Sequence, residues 1–203
     1  TSNALILQVS RVTVTAADSA NVTLDGTTTP AGEPYLADDP SGTISITKYG
    51  YGLLSGVVAP SQVSGWTVQQ PTSTSTATSI ASDGTPTAWS TSSTAYNADG
   101  KQIASLTDGA TGADASTTLT VYYAAGVNTD APSSTIAAQC GNRPTGAGLV
   151  CWTGPAAEPS THPLSATTTV AYDFWLNPSE TLESAMGGSV SGTRSTVHTY
   201  HAD

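Results

Sequence analysis

Thr94-Ala95-Tyr96-Asn97-Ala98-Asp99-Gly100-Lys101-Gln102-Ile103-Ala104-Ser105-Leu106-Thr107-Asp108 has the pattern of a strand, a tight turn and a second strand. Tyr96 ends one strand, Asn97-Ala98-Asp99-Gly100 supplies turn chemistry, and Gln102 to Leu106 starts another strand. Asp-Gly is a strong hairpin signal because both residues tolerate positive φ. Outward from it the same grammar recurs. In Thr118-Leu119-Thr120-Val121-Tyr122-Tyr123, Leu119, Val121 and Tyr123 share one face and Thr118, Thr120 and Tyr122 the other. Val12 and Val14, and Ile44 and Ile46, show the same period of two, which is the strand signal. Asp25-Gly26, Asp39-Pro40-Ser41-Gly42, Asp83-Gly84, Asp108-Gly109 and Gly187-Gly188 read as further turns.

A related unit begins at Tyr172: Val170-Ala171-Tyr172-Asp173-Phe174-Trp175-Leu176-Asn177-Pro178-Ser179-Glu180-Thr181-Leu182. Weaker copies begin at Tyr51 and at Tyr123, the latter with Gly126 as its glycine, and Tyr200 opens a last one. Tyr96 and Tyr172 lie 76 residues apart, and Tyr123 and Tyr200 lie 77 apart, so a pair of units recurs as a block. One hairpin is marginal alone, so such units gain stability by stacking. The expected arrangement is edge-to-edge hairpins with each tyrosine ring packed on the next.

Composition agrees with an all-β chain. Only 10% of its 203 residues are charged, and strong helix formers are scarce. Ser, Thr and Pro dominate 69–93, which reads either as a flexible low-complexity linker or, the favoured reading, as a long surface loop anchored by Trp66 and Trp89. The formal net charge is -10, which disfavours nucleic acid and anionic lipid surfaces as partners. No apolar run approaches the ~20 residues that span a bilayer.

Cys140 and Cys151 flank a loop rich in Gly, Asn and Pro. Its turn-forming residues favour a disulfide, and with it an oxidising, extracellular setting. Two reduced thiols, as in a cytosolic protein, are the alternative. Metal binding lacks two further ligands nearby.

Tyr96-Asn97-Ala98-Asp99-Gly100-Lys101 resembles the Tyr-Asp-x-x-Gly-Arg motif of the RHS/YD-repeat family, with Asn for Asp and Lys for Arg. Tyr172-Asp173 keeps the first pair, while Asn177-Pro178 replaces Gly-Arg. The region from about Val121 onward, with the Cys140–Cys151 loop and Trp152-Thr153-Gly154-Pro155, is similar to segments of large bacterial RHS proteins. The resemblance covers 94–203 well and 1–93 only as degenerate units. It implies an antiparallel β-hairpin ribbon forming part of a spiralling β-shell, which encloses or presents a toxin or effector domain. On this reading 1–203 is one repeat region of a longer secreted protein. Its partners are other segments of that parent and an encapsulated C-terminal toxin, and open strand edges invite self-association. No cofactor and no catalysis are implied.

The candidate chemistry points the same way. His198 and His201 fall on opposite faces of a strand, which suits no two-histidine metal site. Asp39-Pro40-Ser41-Gly42 has the Asp-Pro-x-Gly form found near the self-cleaving site of some RHS cores, but the second element that reaction needs is missing. Gly188-Ser189-Val190-Ser191-Gly192 does not match a nucleophile elbow. Asp38-Asp39 fits a solvated turn better than a glycosidase pair. Trp66, Trp89, Trp152 and Trp175 read more readily as plugs between stacked hairpins than as a sugar platform; with Trp152 and Trp175 as the candidate binding aromatics, an extracellular surface- or carbohydrate-binding module is the alternative function. A β-fold hydrolase comes third.

Overall fold

The computed structural model describes residues 11–15, 24–28, 34–36, 43–57, 59, 61–80, 86–159, 162–187 and 191–200. These residues are predominantly antiparallel strand with a few short helices, as the composition predicts. The chain forms two compact units, Thr1–Gly50 with Ser73–Ser92, and Tyr51–Thr72 with Ser93–Asp203.

In the first unit β1 (Arg11–Thr15) pairs with β4 (Thr43–Gly50), placing Val12 opposite Ile46 and Val14 opposite Ile44. Strand β5 (Ser73–Ile80) pairs with the other side of β4. Strands β2 (Leu24–Thr28) and β3 (Pro34–Leu36) make a separate hairpin. Asp25-Gly26, expected to turn, instead lies within β2, beside a register shift between Asp25 and Thr28. The expected loop over 69–93 is a second correction. It holds β5 and the start of β6 (Pro86–Tyr96). Thr is β-branched and suits a strand, and hydroxyls pair across strands at 2.9 Å, Ser75 with Thr91 and Ser79 with Thr87. Lys48 Nζ lies 4.6 Å over the Trp89 ring.

The second unit carries the end of β6, then β7 (Gln102–Leu106), β8 (Thr117–Tyr122), β9 (Val150–Pro155), β10 (Leu164–Tyr172), β11 (Pro178–Met186) and β12 (Thr193–Val197), each antiparallel to the one before. Helix α1 (Gly65–Val68) is a single turn capped by Ser64 Oγ, and α2 (Ser134–Cys140) is capped by Ser133 Oγ. The core of this unit packs Ala95, Ile103, Leu106, Leu119, Val121, Tyr123, Trp152 and Ala166 together. Leu119, Val121 and Tyr123 point inward, as the alternation in β8 requires. Trp152 lies across Gly154, where any Cβ would come within 2.5 Å of the indole.

Asp38, the Asp39-Pro40-Ser41-Gly42 element, Asp83-Gly84, Gly188 and His201 lie outside the described residues.

Candidate functional site

Two turns of different sequence have one hydrogen-bond pattern. After Tyr96, the Asn97 side chain accepts from Asp99 N and Lys101 N, Asn97 N donates to Lys101 O, and Gly100 N donates to Asn97 O. After Tyr172, the Asp173 carboxylate accepts from Trp175 N and Asn177 N, Asp173 N donates to Asn177 O, and Leu176 N donates to Asp173 O. Gly100 and Leu176, in matching places, have φ of 74° and 65°. Desolvation raises the Asp173 carboxyl, but the bonds from Asn177 and Trp175 outweigh it and hold the group below its ordinary value. A short Asx side chain bonding backbone two and four residues on is what lets dissimilar residues make one turn.

The strands flanking these turns are joined by tyrosine hydroxyls. Tyr96 faces Gln102, and Tyr122 Oη donates to Gln102 O at 2.8 Å. Tyr122 faces Val150, and Tyr172 Oη donates to Val150 O at 2.5 Å. Tyr172 faces Pro178, and Tyr200 Oη donates to Pro178 O at 2.9 Å. Each hydroxyl therefore reaches the carbonyl of the residue paired with the preceding tyrosine. Among the described residues no tyrosine ring stacks on another tyrosine. The expected ring-on-ring contact is replaced by this hydrogen-bonded ladder. The repeat spacing points to Tyr123, whereas the ladder runs through Tyr122. The inward Tyr123 donates to Thr169 O at 2.6 Å instead.

The other repeat residues depart from the unit. Tyr51 follows β4 into an irregular segment and stacks on Trp66, with ring centroids 4.3 Å apart. Gly126 has no positive φ, and its carbonyl accepts from Asn142 N, so the copy after Tyr123 enters a loop and α2 rather than a hairpin. Cys140 and Cys151, both fully buried, form a disulfide. A loop of this size gives about 3 kcal/mol in the chain-entropy account. Lys101 Nζ donates to Gly148 O at 2.8 Å and lies 5.1 Å from the Tyr122 ring, tying the first turn to the disulfide loop.

No family model, curated protein or solved structure matches the chain.

Two concavities flank the end of β8. One, about 370 Å³, is lined by Asn97, Asp99, Lys101, Tyr122, Asn128 and Asp130. Several of its polar groups are committed to holding loops: Asp130 accepts from Ser61 N and Oγ, and Asn128 Nδ2 donates to Tyr122 O. The other, about 320 Å³, is walled by Tyr123, Arg143, Tyr172 and Leu176. Trp152, at 3% exposure, is part of the core, which removes it from any binding surface; Trp175 is 64% exposed. His198 stacks on Tyr200 at 6.4 Å. Among the described residues no three His, Cys, Asp or Glu side chains group as metal ligands, and no helix is long and apolar enough to cross a membrane.

Proposed function

We propose that the chain is a non-catalytic scaffold segment of a secreted RHS/YD-repeat protein, contributing to a β-shell that encloses or presents another polypeptide. The observation that carries this reading is the tyrosine ladder. Tyr122, Tyr172 and Tyr200 each bind the carbonyl opposite the preceding tyrosine, a rule that can extend over further hairpins without a new design. The buried disulfide supports an oxidising location. The rival glycan-binding reading is weakened by the burial of Trp152.

The test uses the full natural polypeptide under broad-specificity proteolysis. Sequence belonging to the enclosed partner should resist cleavage until denaturant unfolds the scaffold. Cleavage of that sequence at the same rate in native and unfolded protein would overturn the proposal. So would turnover on ester, glycoside or peptide panels that is lost on changing one Asp or His.

A further inference from the structure

The matched turns differ in what they project. Where the first has Ala98, Asp99 and Gly100, the second has Phe174, Trp175 and Leu176, which are 90%, 64% and 58% exposed. The hydrogen bonds close equally well in both, so the turn itself does not call for large apolar residues. Leu176 also occupies a left-handed conformation that glycine adopts freely and a leucine does not. A strained, exposed leucine between an exposed tryptophan and the strand is hard to account for by folding alone.

Leu176 also forms one wall of the 320 Å³ groove. Arg143 lines the same groove, its guanidinium 5.7 Å over the Tyr123 ring. No carboxylate among the described residues forms an ion pair with Arg143. Asp173 lines the same groove, but its oxygens accept from Trp175 N, Asn177 N and Asn177 Nδ2. The Tyr123 and Tyr172 hydroxyls are committed to Thr169 O and Val150 O. The groove thus offers an aliphatic wall, aromatic sides and one cation on a ring face.

We propose that this groove and its apolar tip dock an extended polypeptide segment carrying an acidic side chain beside an aliphatic or aromatic one. The carboxylate pairs with Arg143 and the apolar neighbour packs on Leu176 and Trp175. Arginine on an aromatic face is well suited to planar carboxylate recognition. The other occupants fit less well. The net charge of -10 repels an extended anionic membrane surface and, more weakly, an acidic peptide; at contact range a single carboxylate meets the Arg143 cation, the longer-range charges being screened by salt. Phe174 and Trp175 meet at 87°, so the two rings form no shared flat platform for a sugar. The inference goes beyond the scaffold reading and does not depend on it.

The test is fluorescence anisotropy on the whole chain with a labelled pool of hexapeptides, each holding one Glu flanked by Leu, Phe or Trp, against the same pool with Gln. The Glu pool should bind about fivefold more tightly, and Arg143→Gln should remove that difference. Leu176→Gly should weaken binding while raising the melting temperature by roughly 2 °C or more, because it relieves the left-handed strain. Equal binding of both pools, or no binding of either, overturns the proposal. A lower melting temperature for Leu176→Gly does so too, since it would show that the leucine serves folding. Sedimentation with phosphatidylcholine vesicles, lost in Trp175→Ala and unaccompanied by peptide binding, would assign the tip to a lipid surface instead.

Discussion

The hydroxyl of Tyr172 donates to the carbonyl of Val150 at 2.5 Å, and Val150 is the residue that faces Tyr122 across β8 and β9. One phenol thus links the β10 strand to a pair already formed. Tyr172→Phe leaves that carbonyl without its donor in a half-buried setting, at a cost of about 1 kcal/mol. Tyr200→Phe should cost less, because water can replace its hydroxyl at 46% exposure. Urea denaturation of the two variants should rank them in that order; equal midpoints with wild type would remove the ladder from the stability argument.

The equivalence of the two turns is testable by exchange. Asn97→Ala strips the acceptor for Asp99 N and Lys101 N and should cost about 1 kcal/mol. Asn97→Asp keeps the acceptor and should be close to neutral, as Asp173 is in the sister turn. Because hydrogen bonds hold the Asp173 carboxyl below its ordinary value, its contribution is present above that value and is lost as pH falls through the depressed one. Asp173→Asn should flatten this acid limb in a series of denaturation curves. An unchanged limb would place the acid sensitivity elsewhere.

How far the sequence speaks depends on whether the signal is local. The turn at Asn97 to Lys101 and the inward set Leu119, Val121 and Tyr123 were legible because spacing alone specifies them. Strand β5 was not. Ser73 to Ser79 has no apolar alternation, and its partners Thr87 and Thr91 emerge only from pairing. Spacing alone does not single out Tyr122 over Tyr123, because its role depends on reaching Gln102, twenty residues back on the neighbouring strand β7. The groove was invisible for the same reason. Arg143 and Leu176 come from separate segments, and only the fold makes them line one groove.

Trp152 and Gly154 are two residues apart on one face of β9, and the indole fills the space a side chain at 154 would take. Gly154→Ala puts a Cβ 2.5 Å from Trp152 and 2.7 Å from Ala166, an overpacking that should cost about 1–3 kcal/mol. Shortening the neighbour in Trp152→Leu/Gly154→Ala should recover part of that loss beyond simple addition. Thermal unfolding of the three variants gives the coupling. Strict additivity would mean that the glycine answers to something other than the indole.

Alkaline pH probes the tyrosines directly. Burial raises Tyr122, Tyr123 and Tyr172 above the ordinary phenol value of 10.0, with the Arg143 charge partly offsetting this at Tyr123. At Tyr172 the bond with Thr169 lowers and the neighbouring Tyr123 raises the value further. The folded chain therefore holds these protons more tightly than the unfolded one, so unfolding releases them above that pH. Their contribution to stability is complete below the unfolded value and declines as pH rises through it toward the raised folded ones. Urea midpoints measured from about pH 8 to about pH 11 should be level at first and then fall. Replacing all three tyrosines by phenylalanine should lower the plateau and reduce the slope. A wild-type midpoint that stays level to the alkaline end would mean that the phenols titrate alike in both states, against the raised folded values.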